Sequence, residues 1–239
     1  MKLTDFTTLT FDVVGTLIDF ERGMLDWLGP HFRRHVPEVT DDELLRAFAA
    51  AEDVLQQEKP HLPFTAMLPE IYDALAGRWS PPGEADARDA FRNSIADWPA
   101  FPDSVEALAE LKRHYRLVAV TNADNWALAA MSRTLGDPFD MTVTAEDVGL
   151  NKPSPKVFDY LLDKLAPLGV GKADILHTAQ SQYHDIVPAK ALGFATMWVK
   201  RRHGEDGWGA TPPPKEQVEP DFFATSLADV VAQVRAAAD

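Results

Sequence analysis

The chain has 239 residues, no cysteine and a formal net charge of −14, with 46% hydrophobic and 25% charged residues. The missing cysteines exclude disulfides, thiolate metal sites and a Cys nucleophile. The acidic balance opposes nucleic-acid phosphates and anionic membrane surfaces, so neither is an expected partner.

Met1 to Asp5 leads straight into an apolar run, and on this reading no secretory signal is expected. No stretch approaches the length of a membrane span, and a cytoplasmic protein is the expectation. Leu9, Phe11 and Val13, with Thr8 and Thr10 between, read as a first strand by alternation and β-branching. Asp12 stands where that strand gives way to the turn Val13-Val14-Gly15-Thr16. From about Asp19 to Trp98 the pattern is helical throughout. Thr40-Asp41-Asp42-Glu43 is a capping box, followed at helical spacing by Leu44, Leu45, Phe48, Ala51, Val54 and Leu55. Pro60 and Pro63 end that helix. Met67, Leu68, Ile71, Leu75 and Trp79 carry the next, and Pro81-Pro82-Gly83 separates it from a further helix over roughly Glu84 to Trp98.

Beyond Phe101, strands alternate with helices. Pro102-Asp103-Ser104 opens a helix, Leu117 to Thr121 reads as a buried strand, and a helix starts near Asn125. Met141 to Thr144, Ile175 to Thr178 and Phe194 to Val199 read as strands. Pro155 to Leu165 and a segment from about Asp185 read as helices. Phe222-Phe223 and Leu227 to Val234 close the chain as strand and helix. The alternation predicts an α/β, Rossmann-like fold with a doubly wound parallel sheet, residues 1–18 and 100–239, carrying an all-helical insert at 19–99. The Pro/Gly-rich stretch from Gly204 to Pro220 reads as a mobile excursion rather than a functional flap. Lys200-Arg201-Arg202-His203 is too short for a nucleic-acid stripe.

In such a sheet the carboxyl ends of the strands converge on one cleft. Polar residues sit at four of them: Asp12 and Thr16; Thr121 and Asn122; Lys152 in the loop Asn151-Lys152-Pro153-Ser154-Pro155; and Gln180, Ser181 and Asp185. Each taken singly is as readily a helix cap or a solvated charge. Their joint order and spacing resemble the four motifs of the haloacid dehalogenase superfamily of hydrolases, over essentially the whole chain. The resemblance implies Asp12 as nucleophile, Thr121 as a hydroxyl on the transferring group, and Lys152 as the cation beside the nucleophile. It also implies that Ala179 to Asp185 is the acidic motif, and that the helical insert is a cap that selects substrate.

Two departures discriminate within that superfamily. Its phosphatases carry a second Asp two residues after the nucleophile, where this chain has Val14. They also bind magnesium partly through an acid at the position of Gln180. Val14 has no proton to transfer, and a neutral amide is a poor ligand for a hard cation. Both changes suit the metal-independent branch that resembles the type II 2-haloacid dehalogenases. There an Asp ester forms as a halide leaves without a proton, and water then hydrolyses the ester. On this reading Asp185 is the base for water and Lys152 keeps Asp12 ionised. Thr121 and Asn122 donate to the halide or the ester carbonyl, and Thr16, Gln180, Ser181 and His184 contact substrate.

No metal or other cofactor is expected, and the partner is a small anionic substrate; the resemblance allows a homodimer. A magnesium-dependent small-molecule phosphatase and a non-catalytic member stand as alternatives. The dehalogenases carry a Tyr at the position of Val14, Asn-Ala-Trp where Gln182-Tyr183-His184 stands, and a substrate-binding Arg from the cap. Arg22, Arg46 and Arg78 are candidates for that Arg, each as readily a solvated charge. His184 is a candidate for water activation, or simply a histidine at a helix start.

Overall fold

The computed structural model describes residues 1–80 and 86–238. Pro81-Pro82-Gly83, and Glu84 as the start of the helix predicted over roughly Glu84 to Trp98, lie outside the described residues. Six strands form one parallel sheet: β1 (Thr8–Phe11), β2 (Arg116–Thr121), β3 (Met141–Thr144), β4 (Ile175–Ala179), β5 (Ala195–Val199) and β6 (Phe222–Ala224). Their order is β3-β2-β1-β4-β5-β6: the chain winds outward from β1 to β3 and then crosses back to β4, so the switch point lies between β1 and β4. A ligand cleft forms at such a switch point, outside the carboxyl ends of the strands. Strand β1 is buried along its length and pairs with β2 on one side and β4 on the other, Thr10 lying opposite Val118 and His177. Burial on both faces is what a sheet covered by helices requires.

Four helices follow β1 before the chain returns to the sheet at Pro99–Phe101: α1 (Phe20–Arg33), α2 (Asp41–Glu58), α3 (Phe64–Trp79) and α4 (Ala87–Asn93). The capping box at Thr40 and Glu43 is formed, each side chain meeting the other residue's backbone N–H. The fourth helix stops earlier than its periodicity predicts and continues as a 3₁₀ turn over Ser94–Asp97. The Ser94 hydroxyl donates to the Phe91 carbonyl at 2.7 Å, a local bond that competes with regular helix. Trp27 stacks on His31 and meets Tyr72 and Phe91, so aromatic side chains from α1, α3 and α4 share one core.

The chain enters and leaves this helical segment through paired strands. Asp19 donates from its backbone to Pro99, Phe101 donates to Leu17, and Ile18 bridges Ala100. The two crossings therefore lie side by side at the carboxyl end of β1.

The remaining helices are α5 (Ser104–Leu111), α6 (Asn125–Thr134), α7 (Ala145–Val148), α8 (Pro155–Leu165), α9 (Val187–Ala191) and α10 (Leu227–Ala238). They bury the apolar faces of the sheet; α5 and α10 pack together, and α8 contributes Val157, Phe158 and Leu161 around β2 and β4. The helix expected from Asp185 begins earlier, as a π turn over Gln182–Ile186 that leads into α9. Ser181 starts it, its hydroxyl accepting from the His184 N–H at 3.0 Å, and the Ile186 N–H closes on the Ser181 carbonyl at 3.1 Å. The wider turn buries the Asp185 side chain completely. No helix among the described residues is long and apolar enough to cross a membrane.

Candidate functional site

Asp12 is the first residue beyond β1, and its backbone N–H still reaches the Thr178 carbonyl of β4 at 3.2 Å. Its side chain is almost fully buried at the switch point of the sheet. Two donors hold it: Lys152 Nζ at 2.8 Å on Oδ1 and the Thr16 hydroxyl at 2.7 Å on Oδ2. The Thr16 oxygen in turn accepts from the Gln180 N–H at 2.8 Å, which ties the turn after β1 to the end of β4. Arg201 braces the same turn from beneath. Its guanidinium donates to the Thr16 carbonyl at 2.9 Å, pairs with Asp103 at 2.8 Å and covers the Phe101 ring.

Lys152 is buried, and all three of its ammonium protons have partners. They go to Asp12 Oδ1, to Asp185 Oδ1 at 2.7 Å and to the Val120 carbonyl at 2.8 Å. One cation thus serves two carboxylates from opposite sides of the switch point. Burial disfavours the ammonium, but the two carboxylates outweigh it and raise its pKa. Burial raises the pKa of Asp12, with Lys152 and Thr16 opposing. Burial acts the same way on Asp185, yet Lys152 and His177 outweigh it and hold that carboxyl at about 2.

His177, buried on β4, donates from Nε2 to Asp185 Oδ1 at 3.0 Å, and the Thr10 hydroxyl lies 2.8 Å from its Nδ1. This fixes the ring and, through it, the acid. The second oxygen of Asp185 is buried and has no hydrogen-bond partner among the described residues. An ionised carboxylate with one open oxygen is equipped to accept a proton.

Asn122, expected as a donor to the leaving group, lines the cavity and has a further task. Its side-chain amide accepts from the Lys152 N–H at 2.7 Å and donates to the Lys152 carbonyl at 3.0 Å. It therefore clamps the backbone that carries the ammonium. The Asn122 carbonyl also receives the Phe64 N–H at 2.9 Å, and Asn151 donates to the Pro60 and Leu62 carbonyls. These bonds seat the start of α3 over the site. Thr121 is buried beside the cavity, its oxygen accepting from the Ala123 N–H at 3.2 Å, which leaves its proton for a ligand.

Gln180 is tied by its backbone to Thr16 and Trp198, and its Oε1 accepts from Thr211 at 3.4 Å. Among the described residues no acceptor is recorded for its amide N–H₂. Ser181 turns its hydroxyl toward His184 Nδ1 at 3.2 Å. His184 Nε2 lies 2.9 Å from Gln56 Oε1 on α2, so the ring joins the π turn to the helical segment. Burial lowers its pKa to about 4, leaving a neutral imidazole.

The cavity bounded by these groups measures about 50 Å³, several water volumes at roughly 10–15 Å³ each. Asp12, Lys152, Thr121, Gln180 and Asp185 form its floor; Val14, Phe20 and Phe64 supply apolar wall; Glu52 enters from α2. Ala210, Thr211 and Pro212 complete the rim, which corrects the reading of 204–220 as a mere excursion. That stretch is anchored by Glu21, which accepts from the Ala210 N–H and pairs with Arg202, each at 2.6 Å.

Arg22, Arg46 and Arg78 do not line the cavity. All three are exposed, paired with Asp26 and Asp42 or laid over the Trp79 ring. The sequence reading missed Glu52, His177 and Arg201. For Glu52 a signal existed: it follows Phe48 by four residues and Leu44 by eight, on the inward stripe of α2. Val54, assigned to that stripe, is 52% exposed, whereas Glu52 is 5% exposed.

Among the described residues no group of three His, Cys, Asp or Glu is placed to hold a metal ion. The donor set argues the same way. Asp12 and Asp185 each commit an oxygen to one ammonium, and the third position offers a neutral amide whose oxygen is already engaged. This is a poor fit to magnesium, which favours carboxylates in near-octahedral array.

A family model described as haloacid dehalogenase-like hydrolase matches residues 6–193. Pyrimidine 5'-nucleotidase YjjG of Escherichia coli is 30% identical over 128 residues, covering 52% of this chain and 56% of the relative. (S)-2-haloacid dehalogenase 4A of Burkholderia cepacia is 25% identical over 118 residues, covering 48% of this chain and 49% of the relative. The chain spans about half the length of these two relatives. Among solved structures, a defluorinating L-2-haloacid dehalogenase superposes with a TM-score of 0.80 at 20% identity, covering 98% of each chain. The L-2-haloacid dehalogenase of Xanthobacter autotrophicus with chloropropionic acid covalently bound gives a TM-score of 0.74 at 19% identity, covering 96% of this chain and 98% of that one.

Proposed function

The chain belongs to the haloacid dehalogenase-like hydrolases, and on that premise we propose that it is a metal-independent hydrolase that cleaves the carbon–halogen bond of short 2-haloacids. The observation that carries this reading is the arrangement around Asp12. A buried carboxylate is held by one ammonium that it shares with a second carboxylate, and Val14 stands where a proton donor for a leaving alcohol would be needed.

In the first step an Asp12 oxygen attacks the carbon bearing the halogen. A carbon–oxygen ester bond forms as the carbon–halogen bond breaks, and the halogen departs with the bonding pair as halide. No proton is transferred, so Val14 costs nothing. Lys152 and Thr16 work against the effect of burial, favouring the ionised form of Asp12, and aim it. In the second step water attacks the ester carbonyl carbon of Asp12. The open oxygen of Asp185, ionised at neutral pH, takes the proton from water. The tetrahedral intermediate then breaks the bond to the substrate oxygen, which takes the proton remaining from water; the proton on Asp185 passes to solvent, leaving the 2-hydroxy acid and free, ionised Asp12. His184, neutral and bonded to Gln56, acts by positioning rather than as the base. The helical segment 19–99 acts as a cap that closes the cavity over Asp12, and the small cavity suits a short acid.

The experiment is halide release from 2-chloropropionate, bromoacetate and fluoroacetate, with and without a chelator. Release that survives the chelator and disappears in Asp12→Asn is expected. Activity abolished by the chelator and restored by magnesium would overturn the proposal in favour of phosphoryl chemistry.

A further inference from the structure

We propose that Glu52 is the group through which the helical segment recognises the substrate's carboxylate, acting as a neutral hydrogen-bond donor. The inference rests on the carboxylate substrate class proposed above and assigns its binding contact.

Glu52 projects from the middle of α2 into the cavity that holds Asp12. Its Oε1 accepts from Gln56 Nε2 at 2.9 Å, and Gln56 Oε1 lies 2.9 Å from His184 Nε2. The acid is thereby fixed to both the helix and the π turn. Its Oε2 has no hydrogen-bond partner among the described residues, and no ion pair to it is recorded there. An anionic substrate needs donors, and no arginine lines this cavity among the described residues. Lys152 has already placed its three protons. The side-chain donors that remain on the cavity wall are neutral, and include the Thr121 hydroxyl, amide N–H groups of Asn122 and Gln180, and an acid proton on Glu52.

The surroundings keep that proton on. On its own helix Glu52 has Gln56 and the carboxylate of Asp53. Tyr183 and His184 face it from the π turn, the imidazole uncharged. Across the cavity Asp12 and Asp185 are negative and Lys152 is positive but shared between them. The cations on and beside α2 are spent elsewhere: Arg33 of α1 on Asp41, Arg46 on Asp42, and Lys59 on Glu70 of α3. Burial therefore dominates, with Asp53 adding to it, and the carboxyl is pushed up to about 8. Below that pH Glu52 presents an O–H to the substrate, and a hydroxyl donated to a carboxylate makes a short, strong bond. Above it, Glu52 becomes an anion facing an anion.

The test is calorimetric binding of propionate, an unreactive short carboxylate, to the full chain, with halide-release kinetics alongside. Wild-type affinity should fall about tenfold or more between about pH 6.5 and about pH 9.5, as the acid proton is lost. Glu52→Ala should weaken binding about tenfold at the lower pH, raising KM more than it lowers kcat. Glu52→Gln keeps an N–H donor of similar shape; it should restore most of that loss and bind independently of pH over this range. Wild-type affinity in Glu52→Ala, or an unchanged alkaline loss in Glu52→Gln, overturns the assignment. No binding of propionate by the wild type overturns it together with the substrate class. Propionate binding that depends on Glu52, without halide release from any haloacid, supports the contact and overturns only the carbon–halogen chemistry.

Discussion

Replacing Lys152 by Met keeps the unbranched stem and removes the ammonium on which two buried carboxylates depend. In the wild type the three Nζ contacts are at 2.7–2.8 Å, and Lys152, Asp12 and Asp185 are all buried. Removing one partner of a buried ion pair costs about 3–5 kcal/mol. Thr16 still donates to Asp12 and His177 to Asp185, which favours the lower half of that range. For a chain of this size the loss corresponds to a fall in Tm of about 6–20 °C.

The pH dependence gives a sharper signature. With the lysine present, the Asp185 pKa of about 2 lies below its unfolded value. Its stabilisation is therefore complete above the unfolded pKa of about 3.9 and is lost only as pH falls toward 2. Without the lysine, both carboxyls are buried beside each other with no counter-charge: the Asp185 pKa rises above its unfolded value, and that of Asp12, already raised by burial, rises further. The folded variant then binds more protons than the unfolded chain, so its stability grows as pH falls. Thermal unfolding of both proteins from about pH 5 to about pH 8 should show the Tm deficit of Lys152→Met widening with pH. A deficit that does not change with pH, or one below about 2 °C, would refute the shared-cation account.

Two further outcomes follow from the site. Asp185→Asn preserves shape and removes the proposed base for water, so a haloacid should give a burst of about one halide per chain followed by slow release, with the mass of the dehalogenated acid retained on Asp12. Steady turnover at the wild-type rate would rule Asp185 out as that base. Asn122→Ala removes both side-chain bonds to the Lys152 backbone and should cost about 1–3 kcal/mol with a lower kcat; unchanged denaturant unfolding and kinetics would show that the clamp does not position the lysine.

Much of the architecture was legible in the sequence because burial imposes periodicity. Leu9 and Phe11 announced β1, the apolar run from Leu117 announced β2, and Thr40 with Glu43 marked the start of α2. Asp12 and Thr121 were recognisable because they fall at strand ends, and Lys152 and Asp185 because they sit in the segments that follow β3 and β4; parallel strands deliver their carboxyl ends to one edge. Other features escaped for identifiable reasons. The π turn at Gln182–Ile186 depends on a Ser181 hydroxyl bond that no periodicity signals. The stretch around Ala210 has no pattern of its own and takes its position from Glu21, nearly the whole chain away. Charge in a helix is ordinarily solvated, so Glu52 beside Asp53 reads as surface until the docking of α2 turns it inward.

By itself, then, the sequence determined the strand order along the chain, the helical block between the first two strands, and the residue types that meet at the switch point. Those follow from local periodicity and from the geometry of parallel strands. Only the tertiary structure decided which polar atoms are already engaged and which are left open. Asn122 is committed to the lysine backbone, and Lys152 to two acids. Asp185 and Glu52 each keep an oxygen without a partner. That division depends on contacts between residues far apart in the chain, because hydrogen-bonding capacity is fixed by the residue but its use is fixed by what the fold brings within about 3 Å.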